Sequence, residues 1–157
     1  MRTAIIAVGV LIAACAGYSV YWYMAAGEIR AGIDRWIDDR RAKGWTVELG
    51  TPSVTGFPFR LNLSLQTPVL AGPGNQWRWE LPNVQAAARP WALNRIEMSA
   101  PGVHTVKTAE QVAALTLARA EGELDIRGGQ PRFLLVRLAG VEWVQPGGVR
   151  TRIDTLT

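Results

Sequence analysis

His104 and the carboxylates Glu121, Glu123 and Asp125 are the residues whose types and spacing come closest to chemistry. Carboxylates two apart on a presumed strand project from one face, as acid–base work by paired carboxylates requires. The same spacing sets them opposite Leu124 and Ile126, and solvated charges on the wet face of a strand explain them without catalysis. His104 is the single histidine and sits beside the turn signal Pro101-Gly102. One imidazole with no cysteine or clustered carboxylate near it cannot complete a metal site, so a turn or surface position is expected. No G-x-S-x-G, P-loop or H-E-x-x-H pattern occurs. The chain is therefore expected to be non-enzymatic, with no catalytic, cofactor-binding or metal-binding residue and no cofactor.

The only cysteine, Cys15, lies inside an apolar run, so the rest of the chain has neither a disulfide nor a thiolate metal site. That run, residues 3–27, carries no charge between Arg2 and Glu28. As a helix it would span about 37 Å at ~1.5 Å per residue, against a hydrocarbon core of ~30 Å. Tyr18, Tyr21, Trp22 and Tyr23 gather at its far end, as aromatic residues do at a membrane interface. Residues 1–27 are expected to be an uncleaved signal anchor whose partner is the bilayer. Ile12-Ala13-Ala14-Cys15 resembles a lipoprotein cleavage box, the less favoured alternative, because the apolar run continues well past Cys15. Arg30, Arg35, Arg40, Arg41 and Lys43 follow the run, and the positive-inside rule taken literally would keep the body cytoplasmic. Since a first segment often sets topology by itself, the expectation is an inner-membrane protein with a periplasmic body.

Residues 28–44 read as a charged amphipathic helix. Ile29, Ile33, Trp36 and Ile37 recur at helical spacing and Gly44 suits a C-terminal cap. Docking of this stripe on the domain is expected over lying on headgroups. The net charge of +4 comes from 17 basic and 13 acidic residues scattered along the chain. No basic run tracks phosphates, which argues against nucleic acid as a partner.

From residue 45 to residue 157 the texture is β. Trp45, Val47 and Leu49 alternate with polar residues, as do Phe59, Leu61, Leu63 and Leu65, then Trp77, Trp79 and Leu81. Shorter alternations follow at Val84–Ala88, Ile96–Met98, Val103–Thr105, Leu115–Leu117, Leu124–Ile126, Leu134–Leu138 and Val149–Ile153. Turn signals at residues 71–75, 101–102, 128–131 and 146–148 separate them. The expectation is mainly β: a curved antiparallel sheet, either an open groove or a sandwich, incomplete at the C-terminus because the chain stops on an alternating strand. Pro58 is expected near the first pairing position of the strand that begins at Phe59. TAEQVAALTLARAEG could start a helix at Thr108, where Gln111 sits at capping-box spacing, but is read as strand. Gly56-Phe57-Pro58 and Gly129-Gln130-Pro131 each precede apolar residues at the same three offsets, a faint internal echo.

The anchor, Lys43-Gly44-Trp45, GFPFRLNLSL, Trp77 with Trp79, Pro90-Trp91 and Pro101-Gly102-Val103-His104 come in an order that resembles the bacterial membrane-anchored proteins grouped as domain of unknown function 2125. The resemblance covers most of the chain, and GFPFRL is its most specific piece. It implies no catalytic residue, since that family has no established activity, and members typically longer than this chain. The one-sided strands are also similar, more weakly, to AsmA-like β-groove proteins of the bacterial envelope. Two functions stay open. If Phe59, Leu61, Leu63, Leu65, Trp77 and Trp79 line an apolar groove, the protein binds or shields lipid acyl chains. If they fill a closed core, it is a tethered scaffold for envelope proteins.

Overall fold

A computed structural model describes residues 2–128, 130–144 and 150–156. Helix α1 (Arg2–Ala42) runs without interruption for 41 residues, about 61 Å at ~1.5 Å per residue. The charged helix expected at residues 28–44 thus continues the apolar run without a break. α1 ends in a Schellman motif: Gly44 N–H donates to the Arg41 carbonyl (2.9 Å) and Trp45 N–H to that of Arg40 (3.1 Å). Gly44 holds the positive φ of 81° that this closure needs. Residues 2–17 are exposed all round. Beyond them a stripe of Tyr18, Trp22, Ala26, Ile29, Ile33 and Ile37 turns toward the sheet at helical spacing. The stripe at residues 29–37 docks as expected, and it starts eleven residues earlier than its contrast with charged neighbours reveals.

The rest is one antiparallel sheet curled into half a barrel, which removes the sandwich alternative. Its segments are β1 (Thr46–Glu48), β2 (Ser53–Thr55), β3 (Leu61–Leu65), β4 (Val69–Ala71), β5 (Trp77–Glu80) and β6 (Val84–Arg89). They are followed by β7 (Ala92–Ser99), β8 (Gly102–Thr108), β9 (Val112–Arg127), β10 (Gln130–Val144) and β11 (Arg150–Leu156). A short 3₁₀ turn at Pro73–Asn75 links β4 to β5. The pairing registers show a simpler order than that inventory. Glu48 pairs with Val69 and Ser53 with Ser64, so β1 and β2 form one run antiparallel to β3 and β4. Likewise β5 and β6 form one run, as do β7 and β8, the last pair lying end to end along β9. The chain goes up and down, and the first four runs are each broken once.

The breaks fall side by side and contain Pro52, Pro68, Pro82 and Pro101, residues that cannot donate to a ladder. They form a seam across the sheet, and the seam shifts the phase of alternation. Leu65 and Leu70, five apart, reach the same side of the sheet, as do Leu81 and Val84, three apart; an unbroken strand would send each pair to opposite faces. Pro101-Gly102 is thus a bend within a run, not the chain reversal its composition suggests. On β10 the same level holds Gly140, with a positive φ of 60°. The expected sets at Leu115–Leu117 and Leu124–Ile126 belong to one strand, β9. Thr108 and Gln111 bond to each other across the β8–β9 turn and start no helix.

Two expectations about the GFPFRL stretch are corrected. Phe57, Pro58 and Phe59 form a turn closed by Arg60 N–H on the Gly56 carbonyl (2.9 Å), and the strand starts at Leu61. Phe59 is 69% exposed and belongs to neither sheet face. The chain reverses here because the next apolar residue, Leu61, is the one buried against Trp22, Ala26 and Val54. Gly129, part of the internal echo, and residues 145–149, with the expected turn and Val149, lie outside the described residues.

Candidate functional site

The sheet presents different faces at the two sides of its curl. On the side toward α1, Leu61, Ala88, Ile96, Leu124 and Leu134 form one cross-strand row, and Leu63, Ala86, Met98, Gly122 and Val136 the next. The rows between them point away: Asn62, Ala87, Glu97, Glu123 and Leu135, then Ser64, Gln85, Ser99, Glu121 and Arg137. These second rows line an open hollow of about 700 Å3. Leu63, Ala86 and Met98 border the same hollow, so it mixes polar and apolar side chains and is not an apolar channel. Alternation dictates that one face is apolar; it does not dictate which way the sheet bends.

The apolar site lies instead between α1 and the seam. A slot of about 350 Å3 is bounded by Ile29, Gly32, Ile33 and Trp36 of the helix, with Leu49, Leu65, Pro68, Leu70, Leu81 and Val84 of the sheet. All ten are apolar. Gly32 keeps the helix side open, since a Cβ placed there meets nothing within 4 Å. The slot exists because the seam turns Leu65 and Leu70, then Leu81 and Val84, to one side while breaking the strand surface between them.

The six residues expected to line a groove are dispersed. Leu65 lines the slot. Leu61 (2% exposed) and Leu63 pack in the cluster of Trp22, Ala26 and Val54. Trp77 meets Trp45 edge-on, with ring centroids 5.3 Å apart. Trp79 lies 6.0 Å from the His104 ring, and its Nε1 has no hydrogen-bond partner among the described residues. Phe59 is in the exposed turn. Ile29, Gly32, Pro68 and Leu70 were missed because each is unremarkable until the helix is laid over the seam.

His104 is corrected from a turn or surface residue to a buried one, 6% exposed on β8. Its Nε2 lies 2.9 Å from the Ala100 carbonyl, which satisfies the ring at the bend. Glu121 and Glu123 face the hollow, with Arg119 and Arg95 at 3.6 and 3.8 Å, and Asp125 accepts from Asn94 Nδ2 at 3.2 Å. Each carboxylate has a partner of its own, and the three do not converge on one point. Among the described residues no group of three or more His, Cys, Asp and Glu is placed to hold a metal.

α1 is fixed beside the slot at both ends. Tyr18 Oη donates to the Pro58 carbonyl (2.5 Å), Tyr21 Oη to that of Pro90 (2.6 Å) and Trp22 Nε1 to that of Arg60 (3.0 Å). At the other end Arg41 donates to the Val47 carbonyl (2.9 Å), and the Arg40 guanidinium lies 5.6 and 5.5 Å from the Trp36 and Trp45 ring centres. No curated protein and no solved structure matches the chain. Residues 22–148 match the family model described as an uncharacterized protein conserved in bacteria, DUF2125. That stretch takes in α1 from Trp22 onward, the seam and the slot, and the chain belongs to this family.

Proposed function

We propose that the protein is a membrane-tethered, non-enzymatic binder of lipid acyl chains, held in the slot between α1 and the seam. The observation that carries the reading is the lining: ten apolar residues and no polar side chain, around about 350 Å3. Ligand sites are concave and mostly apolar, and the polar groups among their walls usually orient a functional group. A wall with none selects a hydrocarbon chain. The tether is the apolar run of α1, long enough to cross a bilayer. The same helix passes the slot, so a chain leaving the bilayer would follow α1 to its site. As an N-terminal signal anchor, α1 would sit in the inner membrane with the body in the periplasm. The basic residues from Arg30 to Lys43 weigh against that side, and fusion of a reporter enzyme active only outside the cytoplasm decides it.

The test uses the full chain in mild detergent, exchanged against a fluorescent fatty acid. Gly32→Leu intrudes on the slot from the helix, at a position where an added Cβ meets nothing within 4 Å. Gly27→Leu, at an exposed helix position, makes the same gain in helix propensity away from the slot. The expected result is binding by the parent and by Gly27→Leu, and its loss in Gly32→Leu with unchanged secondary structure. Equal binding by all three overturns the slot. Absence of binding in the cooperatively folded parent leaves a tethered scaffold.

A further inference from the structure

One end of the sheet carries more exposed aromatic surface than the rest of the body. The reversals at residues 56–60 and 90–91, and the paired ends of β9 and β10 at Arg127 and Gln130, lie at the end of the sheet nearest Tyr18 and Tyr21. There Phe57, Phe59 and Trp91 are 47%, 69% and 62% exposed. Arg60, Arg89, Arg127 and Arg132, also exposed, stand at the same strand ends. Arg60, Arg89 and Arg95 border a hollow of about 200 Å3 together with Trp91. Arg89 makes no ion pair among the described residues, and Arg60 only a long one, 3.9 Å from Glu97.

The length of the free helix sets where this end must be. Only residues 2–17 of α1 are clear of the body, because Tyr18 already bonds to Pro58. Sixteen residues reach about 24 Å at ~1.5 Å each, short of a hydrocarbon core of ~30 Å. Because the charge of Arg2 bounds the apolar run, a crossing segment of ~20 residues extends to about Trp22, and Tyr18, Tyr21 and Trp22 are hydrogen-bonded to the two aromatic loops. The loops are drawn down with them. Aromatic side chains with arginines beside them suit that level, where rings settle among headgroups and guanidinium groups meet lipid phosphates.

We infer that the sheet stands end-on in the bilayer interface, with the loops of Phe57–Phe59 and Pro90–Trp91 inserted at headgroup level and the surrounding arginines on anionic phosphates. The inference rests on the tether proposed above and adds to it a second, monotopic attachment. It makes the protein a body fixed in height and tilt, where a single-pass anchor alone would leave it to swing.

The test places single cysteines in the full chain on a Cys15→Ala background, at Ile12, Phe59, Trp91 and Glu110. Each is labelled with an environment-sensitive fluorophore and reconstituted in vesicles of phosphatidylethanolamine and phosphatidylglycerol. Glu110 lies in the β8–β9 turn at the opposite end of the sheet and serves as the distant site. Expected are a label at residue 12 shielded in the core, labels at 59 and 91 blue-shifted and protected from iodide, and a quenchable label at 110. Protection at 59 and 91 should fall when phosphatidylglycerol is replaced by phosphatidylcholine. A shielded label at 12 with quenchable labels at 59 and 91 overturns the docking and leaves the tether. Quenchable labels at all four sites overturn the tether and the docking with it. Protection at 110 equal to that at 59 overturns the end-on placement.

Discussion

The two halves of the sheet on either side of the seam are cut from the same strand runs, yet α1 holds them by different physics. The half nearer Tyr18 is fastened by buried contacts: Trp22 and Ala26 on Leu61 and Val54, with ring O–H and N–H groups on loop carbonyls. The half nearer Arg41 is fastened by a cation between two indoles, and its outer face carries Arg78, Glu80, Lys107 and Glu48 in a wet charge network. Burial excludes water and is indifferent to salt; exposed charge is screened and sensitive to pH. A helix spanning both halves therefore has one firm attachment and one adjustable one, with the slot between them.

Removing the firm attachment should have the largest effect. Trp22→Ala deletes a buried indole, its hydrogen bond to Arg60 and its edge contact with Phe57 at 5.5 Å. The expected loss of stability is about 3–5 kcal/mol. Hydrogen exchange should rise first in β2 and β3, whose contacts with α1 run through Trp22, and later in β4 and β5. Uniform loss of protection across both halves would show that the seam does not divide them.

The adjustable attachment should respond less. Arg40→Ala removes the cation from Trp36 and Trp45, worth about 1 kcal/mol where such contacts are partly exposed. Protection should fall in β1 while β2 and β3 keep theirs, and denaturation midpoints of parent and variant should converge at high salt. A drop as large as that of Trp22→Ala would mean that the two ends of the helix are one cooperative contact.

Which parts of this were legible in the sequence follows from how local their causes are. The long apolar helix, the Gly44 cap, the Ile29–Ile37 stripe and most of the alternating strands are written in runs of adjacent residues, and these stand where expected. The docking of Tyr18, Trp22 and Ala26 was hidden because the run around them is apolar on every side, so no stripe stands out. The seam was hidden for another reason. Pro101 reads as an ordinary turn signal and Pro82 as no signal at all, and only the pairing of Glu80 with Thr105 and of Gln85 with Ser99 shows their breaks meeting across two runs. The slot inherits that difficulty, since Leu65, Leu70, Leu81 and Val84 share a side only once the seam has shifted their phase. Alternation also could not tell what each face packs against, and the six groove residues dispersed accordingly. The echo around Pro58 and Pro131 does have a spatial counterpart: Leu61 and Leu134 share a row, and Leu63 and Val136 the next.

The smallest expected effect separates the halves by pH. Lys107 Nζ lies 2.6 Å from Glu80 Oε1 and Arg78 Nε 3.2 Å from it. The hydrogen bond from Lys107 is the main cause that holds the Glu80 carboxyl below its ordinary value; desolvation opposes it and Arg78 adds to it. A carboxyl depressed on folding adds stability that is fully present above its unfolded value, ~4.3 for Glu, and is lost as pH falls through the lower folded value. Glu80→Gln should therefore lower stability slightly at neutral pH, leave it unchanged well below the folded value, and so make the acid limb of the stability profile shallower. Asp39 is also lowered, chiefly by its hydrogen bond from Lys43 at 2.8 Å, so the limb should shrink further in Glu80→Gln/Asp39→Asn. Both groups belong to the half beyond the seam, and acid should loosen β1, β4 and β5 before β2 and β3. Superimposable acid limbs in parent and double variant would remove exposed charge as the distinction between the two halves, and would leave the packing of Trp22 against Leu61 as the whole of the difference.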